Sequence, residues 1–169
     1  MATLWLIGMM GVGKSTIGPR AAGELGVPFV DLDERVAAEA GMTVSEIFAA
    51  EGEDGFRRRE RAAVAAVAGT TAVVACGGGV VLAEESVARL RASGTVVWLD
   101  APAAELAERV AGGAGRPLLS GGEASGALDR ILAGRSAAYA AAAHHRVETA
   151  GRRPEEVTEE VVALWKRGK

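Results

Sequence analysis

The sequence has a single cysteine, Cys76, in 169 residues, so no internal disulfide can staple the chain and a reducing cytosol is the expected compartment. It has no apolar run near the ~20 residues that cross a bilayer. The longest largely apolar stretch, Ala72 to Ala83, is interrupted by three glycines. No basic lead precedes the first apolar run, and that run feeds directly into a loop needed for function, so a cleaved signal is not expected. A net charge of -3, with acids and bases interspersed, supplies no basic field for nucleic acid. The two histidines, His144 and His145, are adjacent and point apart on either a helix or a strand, which suits surface or structural roles better than a metal pair. Internal repeats and Ser- or Pro-rich linkers are missing, and the length suits one buried core, so residues 1–169 read as one domain.

Lysine is scarce too: of 19 basic side chains only Lys14, Lys166 and Lys169 are lysine. Where arginine is the habit, the early lysine is informative. It lies in Gly8-Met9-Met10-Gly11-Val12-Gly13-Lys14-Ser15-Thr16, after the apolar run Leu4-Trp5-Leu6-Ile7 and before a helical pattern. This is G-x-x-x-x-G-K-[ST] in the setting it requires, strand then loop then helix. Backbone N–H groups around such a loop cradle phosphates at the positive end of a helix. A slim point charge, Lys14, neutralises the β- and γ-phosphates, and the Ser15 hydroxyl ligates Mg2+. A nucleotide triphosphate is therefore the expected ligand.

Beyond the loop, helix is expected over Thr16 to Leu25, stopped by Gly26, then a short strand over Val27 to Val30 with Asp31-Leu32-Asp33 at its carboxyl end. Asp33 is placed to open a helix through Ala40. Thr43-Val44-Ser45-Glu46 is a capping-box pattern, and the helix resumes over Glu51 to Val67 after a break near Gly52. Strands over Ala72 to Ala75 and Thr95 to Leu99 flank Gly77-Gly78-Gly79 and a helix near 84–92. A helix from Pro102 to Val110 follows. Six glycines between Gly112 and Gly126 surround Arg116-Pro117-Leu118-Leu119 and read as a mobile lid. A helix over Glu123 to Ala142, a strand at Arg146 to Glu148 and a last helix to Trp165 complete the pattern. Strands and helices alternating at this spacing imply a parallel sheet covered on both faces.

Ligands of such sheets sit at the carboxyl ends of the strands, where the phosphate loop, Asp31, Asp33 and the triple glycine all fall. Asp31 and Asp33 can divide work, one orienting a water on Mg2+ and the other accepting from a substrate hydroxyl. Each can equally be a turn or a helix cap. Gly77 to Gly79 is either a plain turn or a bare backbone against which a small polar substrate lies. In Phe56-Arg57-Arg58-Arg59-Glu60-Arg61, helical spacing puts Arg57, Glu60 and Arg61 on one face and turns Arg58 and Arg59 away. A solvated surface held by local ion pairs is the ordinary reading of such a run. Arg57 and Arg135 can instead clamp a carboxylate, and Arg116 can stabilise phosphoryl-transfer charge once the lid closes. Cys76 reads as a small packing residue, and the three tryptophans as packing residues with one polar edge each.

These landmarks in this order, with Arg135 followed by Tyr139, resemble the shikimate kinases over nearly the whole chain, from Leu4 to Trp165. The resemblance implies a three-layer α/β/α P-loop kinase fold like that of nucleoside monophosphate kinases. Its five-stranded parallel sheet would run 2-3-1-4-5, with a helical substrate-binding region over about 33–61 and a mobile lid over about 112–126. It implies phosphorylation of the 3-hydroxyl of shikimate by ATP with Mg2+, on the route to chorismate and the aromatic amino acids, by a cytoplasmic monomer. Asp33 would hold the ring hydroxyls and act as base, and Arg57 and Arg135 would grip the carboxylate. Glu60 would support Arg57, and Gly77, Gly78 and Gly79 would line the ring. Gly11, Val12, Gly13, Lys14, Ser15 and Thr16 would hold the phosphates, with Ser15 and Asp31 at the metal. Arg109, Arg152 and Pro154 match positions around adenine, and Arg116 one on the phosphates. Cys76 departs from the many relatives with a hydroxyl or other small residue there.

Overall fold

In a computed structural model, which describes residues 3–111 and 122–168, the apolar runs read as strands pair into one parallel sheet. Its strands are β1 (Thr3–Ile7), β2 (Phe29–Asp31), β3 (Val73–Ala75), β4 (Gly94–Asp100) and β5 (His145–Glu148), in the expected order β2-β3-β1-β4-β5. Leu4 of β1 pairs with Val73 on one side and Thr95 on the other. All five residues of β1 are buried, which is why its sequence is continuously apolar rather than alternating. This central strand delivers the phosphate loop to the middle of the sheet edge.

The helices are α1 (Lys14–Leu25), α2 (Leu32–Ala40), α3 (Val44–Val67), α4 (Glu84–Ser93), α5 (Ala103–Ala111), α6 (Gly122–Ala142) and α7 (Pro154–Arg167). α1 packs against α7 and β3, and α4 packs against β4, α3 and α6, giving the three layers of an α/β/α kinase fold. α2 and α3 form the expected all-helical segment between β2 and β3. Thr43 makes the full capping box with Glu46, and Gly52 interrupts α3 with φ 69° and ψ -176°. None of the described helices is long and apolar enough to cross a membrane.

Several boundaries differ from the expectation for identifiable reasons. β2 begins at Phe29 rather than Val27, because the Val27 N–H is committed to the Ala22 carbonyl at the end of α1 and Pro28 has no N–H. The cap of α2 is Asp31, not Asp33: Asp31 Oδ1 accepts from the Asp33 and Glu34 N–H groups at 2.9 and 3.2 Å. A short 3-10 turn, Val80–Leu82, follows the triple glycine. The helix after the expected lid starts at Gly122, so residues 122–126 are helical. Burial of Leu128, Tyr139 and Ala142 along α6 outweighs the ~1 kcal/mol helix penalty of each glycine.

His144 extends the pairing of β4 with β5. Its N–H donates to the Val96 carbonyl, and its Nδ1 accepts from the Val96 N–H at 3.0 Å. Burial lowers its pKa and keeps the imidazole neutral, as that accepting nitrogen requires. All three tryptophans are buried packing residues as expected; the Trp5 indole donates to Ser93 Oγ, whereas the buried Trp98 N–H has no hydrogen-bond partner. The Trp98 ring lies between Tyr139 and the Arg146 guanidinium.

Candidate active site

The loop between β1 and α1 takes the cradle form its glycines allow. Gly13 caps α1 with φ 109°, a conformation closed to a residue with a Cβ. The Lys14 ammonium turns inward and donates to the carbonyls of Gly8 and Met9 at 2.7 and 2.9 Å, so the charge is held within the loop. A cavity of about 600 Å3 opens here. Gly11, Val12, Gly13, Lys14, Ser15 and Thr16 line its floor. Asp31, Asp33, Gly77 and Gly78 line one end, and Arg109, Arg152 and Pro154 the other.

The second cluster meets at the triple glycine. A Cβ on Gly77 would lie 2.8 Å from Asp33 Oδ1 and 2.9 Å from Glu60 Oε2. One on Gly78 would lie 3.4 Å from an Arg135 nitrogen, and one on Gly79 would collide with the Arg57 guanidinium. Side chains from α2 and α3 therefore crowd Gly77 and Gly79, and Arg135 of α6 comes within ordinary contact distance of Gly78. Asp33, Arg57, Glu60 and Arg135, far apart in sequence, surround one strip of backbone beside the phosphate loop.

Within this cluster Arg57 donates to Glu60 Oε1 at 2.8 Å and lies 3.7 Å from Glu53. Glu60 is 2% exposed, and its Oε2 has no hydrogen-bond partner. Burial pushes the Glu60 carboxyl up against the opposing pull of Arg57, and Asp33 adds to the rise. Burial also pushes the Cys76 thiol well above its ordinary range, with the Glu60 charge adding to it, so Cys76 is a packed thiol and not a nucleophile. Among the described residues no group of three or more His, Cys, Asp or Glu could cage a metal. One hydroxyl, Ser15, and the Asp31 carboxylate beside a phosphate cradle instead suit Mg2+, which keeps most of its waters and takes phosphate oxygens.

At the other end Arg109 reaches back from α5 to the carbonyls of Gly11 and Val12 and to Thr149 Oγ1, and it pairs with Glu105. Arg152 donates to the Glu148 carbonyl and to Glu160. Both guanidiniums are thus pinned at the cavity wall, a placement from which their planes can stack on a purine. Arg116 and the lid through residue 121 lie outside the described residues.

Two residues of the site carry no local sequence signal. Thr149 lines the cavity beside Arg109 and is tied to the Asp100 carbonyl. Tyr139 is fully buried, its hydroxyl donates to the Gly78 carbonyl at 2.5 Å, and Arg135 one helical turn earlier opposes the upward push of burial on its pKa. The only hint was the Arg135-to-Tyr139 spacing of four. Tyr139→Phe keeps the stack on Trp98 but frees Gly78 and removes the hydroxyl near Arg135. The expected result is an acceptor KM raised about five- to tenfold, the worth of one good hydrogen bond, with little change in Tm. An unchanged KM would make Tyr139 a core residue only.

A family model described as shikimate kinase matches residues 10–166. The shikimate kinase of Symbiobacterium thermophilum is 48% identical over 167 residues, 96% of each chain. That of Neisseria meningitidis serogroup C is 42% identical, covering 97% of this chain and 94% of its own. The solved shikimate kinase of Acinetobacter baumannii in complex with shikimate superposes with a TM-score of 0.91 at 31% identity, over 100% of this chain and 95% of that one. With a family model matching most of the chain and relatives up to 48% identical over nearly its full length, the chain belongs to the shikimate kinase family.

Proposed function

We propose that this protein transfers the γ-phosphoryl group of ATP to the 3-hydroxyl of shikimate, releasing ADP and shikimate 3-phosphate. The observation that carries the reading is the convergence of Asp33, Glu60, Arg57 and Arg135 on Gly77–Gly79, at the edge of the phosphate cavity. Two guanidiniums select a carboxylate through planar donor forks. Asp33 accepts the hydrogen bond of the attacking hydroxyl and takes its proton. Glu60 Oε2, a buried acceptor without a partner, suits a polyol rather than an apolar ring.

Lys14 and the loop N–H groups neutralise the phosphate oxygens, and catalysis is positioning plus charge stabilisation. Ser15 and Asp31 would hold Mg2+, which would supply positive charge to the phosphates. Arg109, Arg152 and Pro154 frame the adenine. Arg116, assigned from its sequence position, adds charge to the transferring group. The protein works as a cytoplasmic monomer with residues 1–169 as one kinase domain.

The test is ADP release in the presence of Mg2+ with shikimate, gluconate and nucleoside monophosphates offered as separate acceptors. Release dependent on shikimate and abolished by EDTA supports the reading. Release with gluconate or a nucleotide instead would place the chain's activity elsewhere among P-loop kinases.

A further inference from the structure

In a straight α-helix, residues eight apart are separated by about 12 Å along the axis and cannot touch. α3 contains two such pairs in contact. The Glu51 carboxylate accepts from Arg59 Nε and Nη2, at 3.0 and 2.7 Å. Phe48 stacks on Phe56 with ring centroids 4.8 Å apart. Both contacts exist because the chain turns at Gly52, whose positive φ only glycine adopts comfortably. Gly55 completes the joint: a Cβ there would collide with Glu51 Cβ. The arm before the break is thus folded back and fastened to the arm after it at two points.

The fastened stretch is where Arg57 sits. Its guanidinium lies 5.3 Å over the Phe56 ring, and its neighbours Phe56 and Arg59 are the two anchor points. The Arg57 head is drawn between Glu53, just past the break, and Glu60, one turn on. Arg59 belongs to a run that helical spacing assigns to the solvated face, yet its partner comes from across the break rather than from its own turn.

Resting on the carboxylate-clamp reading of Arg57, we propose that Glu51 and Arg59 are positioning residues for acceptor binding. Their ion pair holds the angle of the Gly52 joint, and that angle sets where the Arg57 guanidinium stands over Gly79. Neither residue touches the acceptor. The pair is partly exposed, with side chains 27% and 36% accessible, so its loss leaves the fold intact and acts on geometry.

The test compares Glu51→Gln, Arg59→Gln, Arg59→Lys and Arg57→Ala, measuring KM for shikimate and for ATP, kcat and Tm. Glu51→Gln and Arg59→Gln are each expected to raise the shikimate KM about three- to fivefold. The ATP KM should stay within experimental error and kcat within about twofold, with partial recovery in Arg59→Lys. Arg57→Ala is expected to raise the same KM by about a hundredfold, the cost of stripping a buried carboxylate of its charged partner. If Arg57→Ala does so while the Glu51 and Arg59 variants change only Tm, or raise both KM values alike, the positioning role is overturned and the clamp stands. An unchanged KM in Arg57→Ala overturns the clamp itself and the proposal with it.

Discussion

Lys14→Met is expected to lower kcat by about three orders of magnitude, with the fold and shikimate affinity retained, because one fixed cation on a transferring phosphoryl group is worth roughly 10²–10³ or more in rate. The ammonium donates to two loop carbonyls, those of Gly8 and Met9, which hold it within the cradle. Methionine keeps the apolar stem of the side chain and loses only the charge. Single-turnover phosphoryl transfer, with circular dichroism to check the fold, measures the effect. A rate within tenfold of wild type would remove Lys14 from the chemistry.

Asp33→Asn is the second large effect, an expected fall in kcat of about 10²–10³ with shikimate KM changed only a few-fold. Two features of the site separate it from a stability effect. The cap of α2 is Asp31, so the Asp33 side chain is not the one satisfying the helix N-terminus. Asparagine is also nearly isosteric, which matters where Asp33 Oδ1 occupies the space beside Gly77 that a Cβ would fill. Removing the Asp33 charge also withdraws one of the influences that raise Glu60, so the rate loss does not come from weakening the Arg57–Glu60 pair. A rate near wild type would mean that Asp33 only shapes the pocket.

How far the sequence carried the account depended on whether each feature is local. The phosphate loop was fully legible, because its glycines, lysine and flanking strand and helix are contiguous and the geometry follows from them. The same holds for the Thr43–Glu46 box and the break at Gly52. Asp31 and Asp33 were harder: two carboxylates one residue apart can both cap, and only the extended backbone of Asp31, φ -93° and ψ 120°, decides which does. Glycine content carried the expected lid on to Gly126, whereas residues 122–126 belong to α6, a helix held by buried Leu128 and Tyr139 further along the chain.

Features built from distant residues were silent. Thr149 and Tyr139 reach the site through contacts 40 and 61 positions away, to Arg109 and to Gly78. The strand order came from the family resemblance, because the spacing of strands and helices implies a parallel sheet without ranking its strands. The contacts of Glu51 with Arg59 and of Phe48 with Phe56 were hidden for a different reason. Helical spacing sorts residues by face on a straight rod, and α3 is not one.

The central claim is that a carboxylate grip at Arg57 and Arg135 and an acid at Asp33 present one particular hydroxyl to the phosphate cradle. The position of the transferred phosphorus tests it most directly. Phosphorus-31 NMR of the product formed from ATP, Mg2+ and shikimate should show a single phosphate monoester coupled to the proton on C3. Esters spread over the other hydroxyls, or inorganic phosphate with shikimate unchanged, would contradict the account.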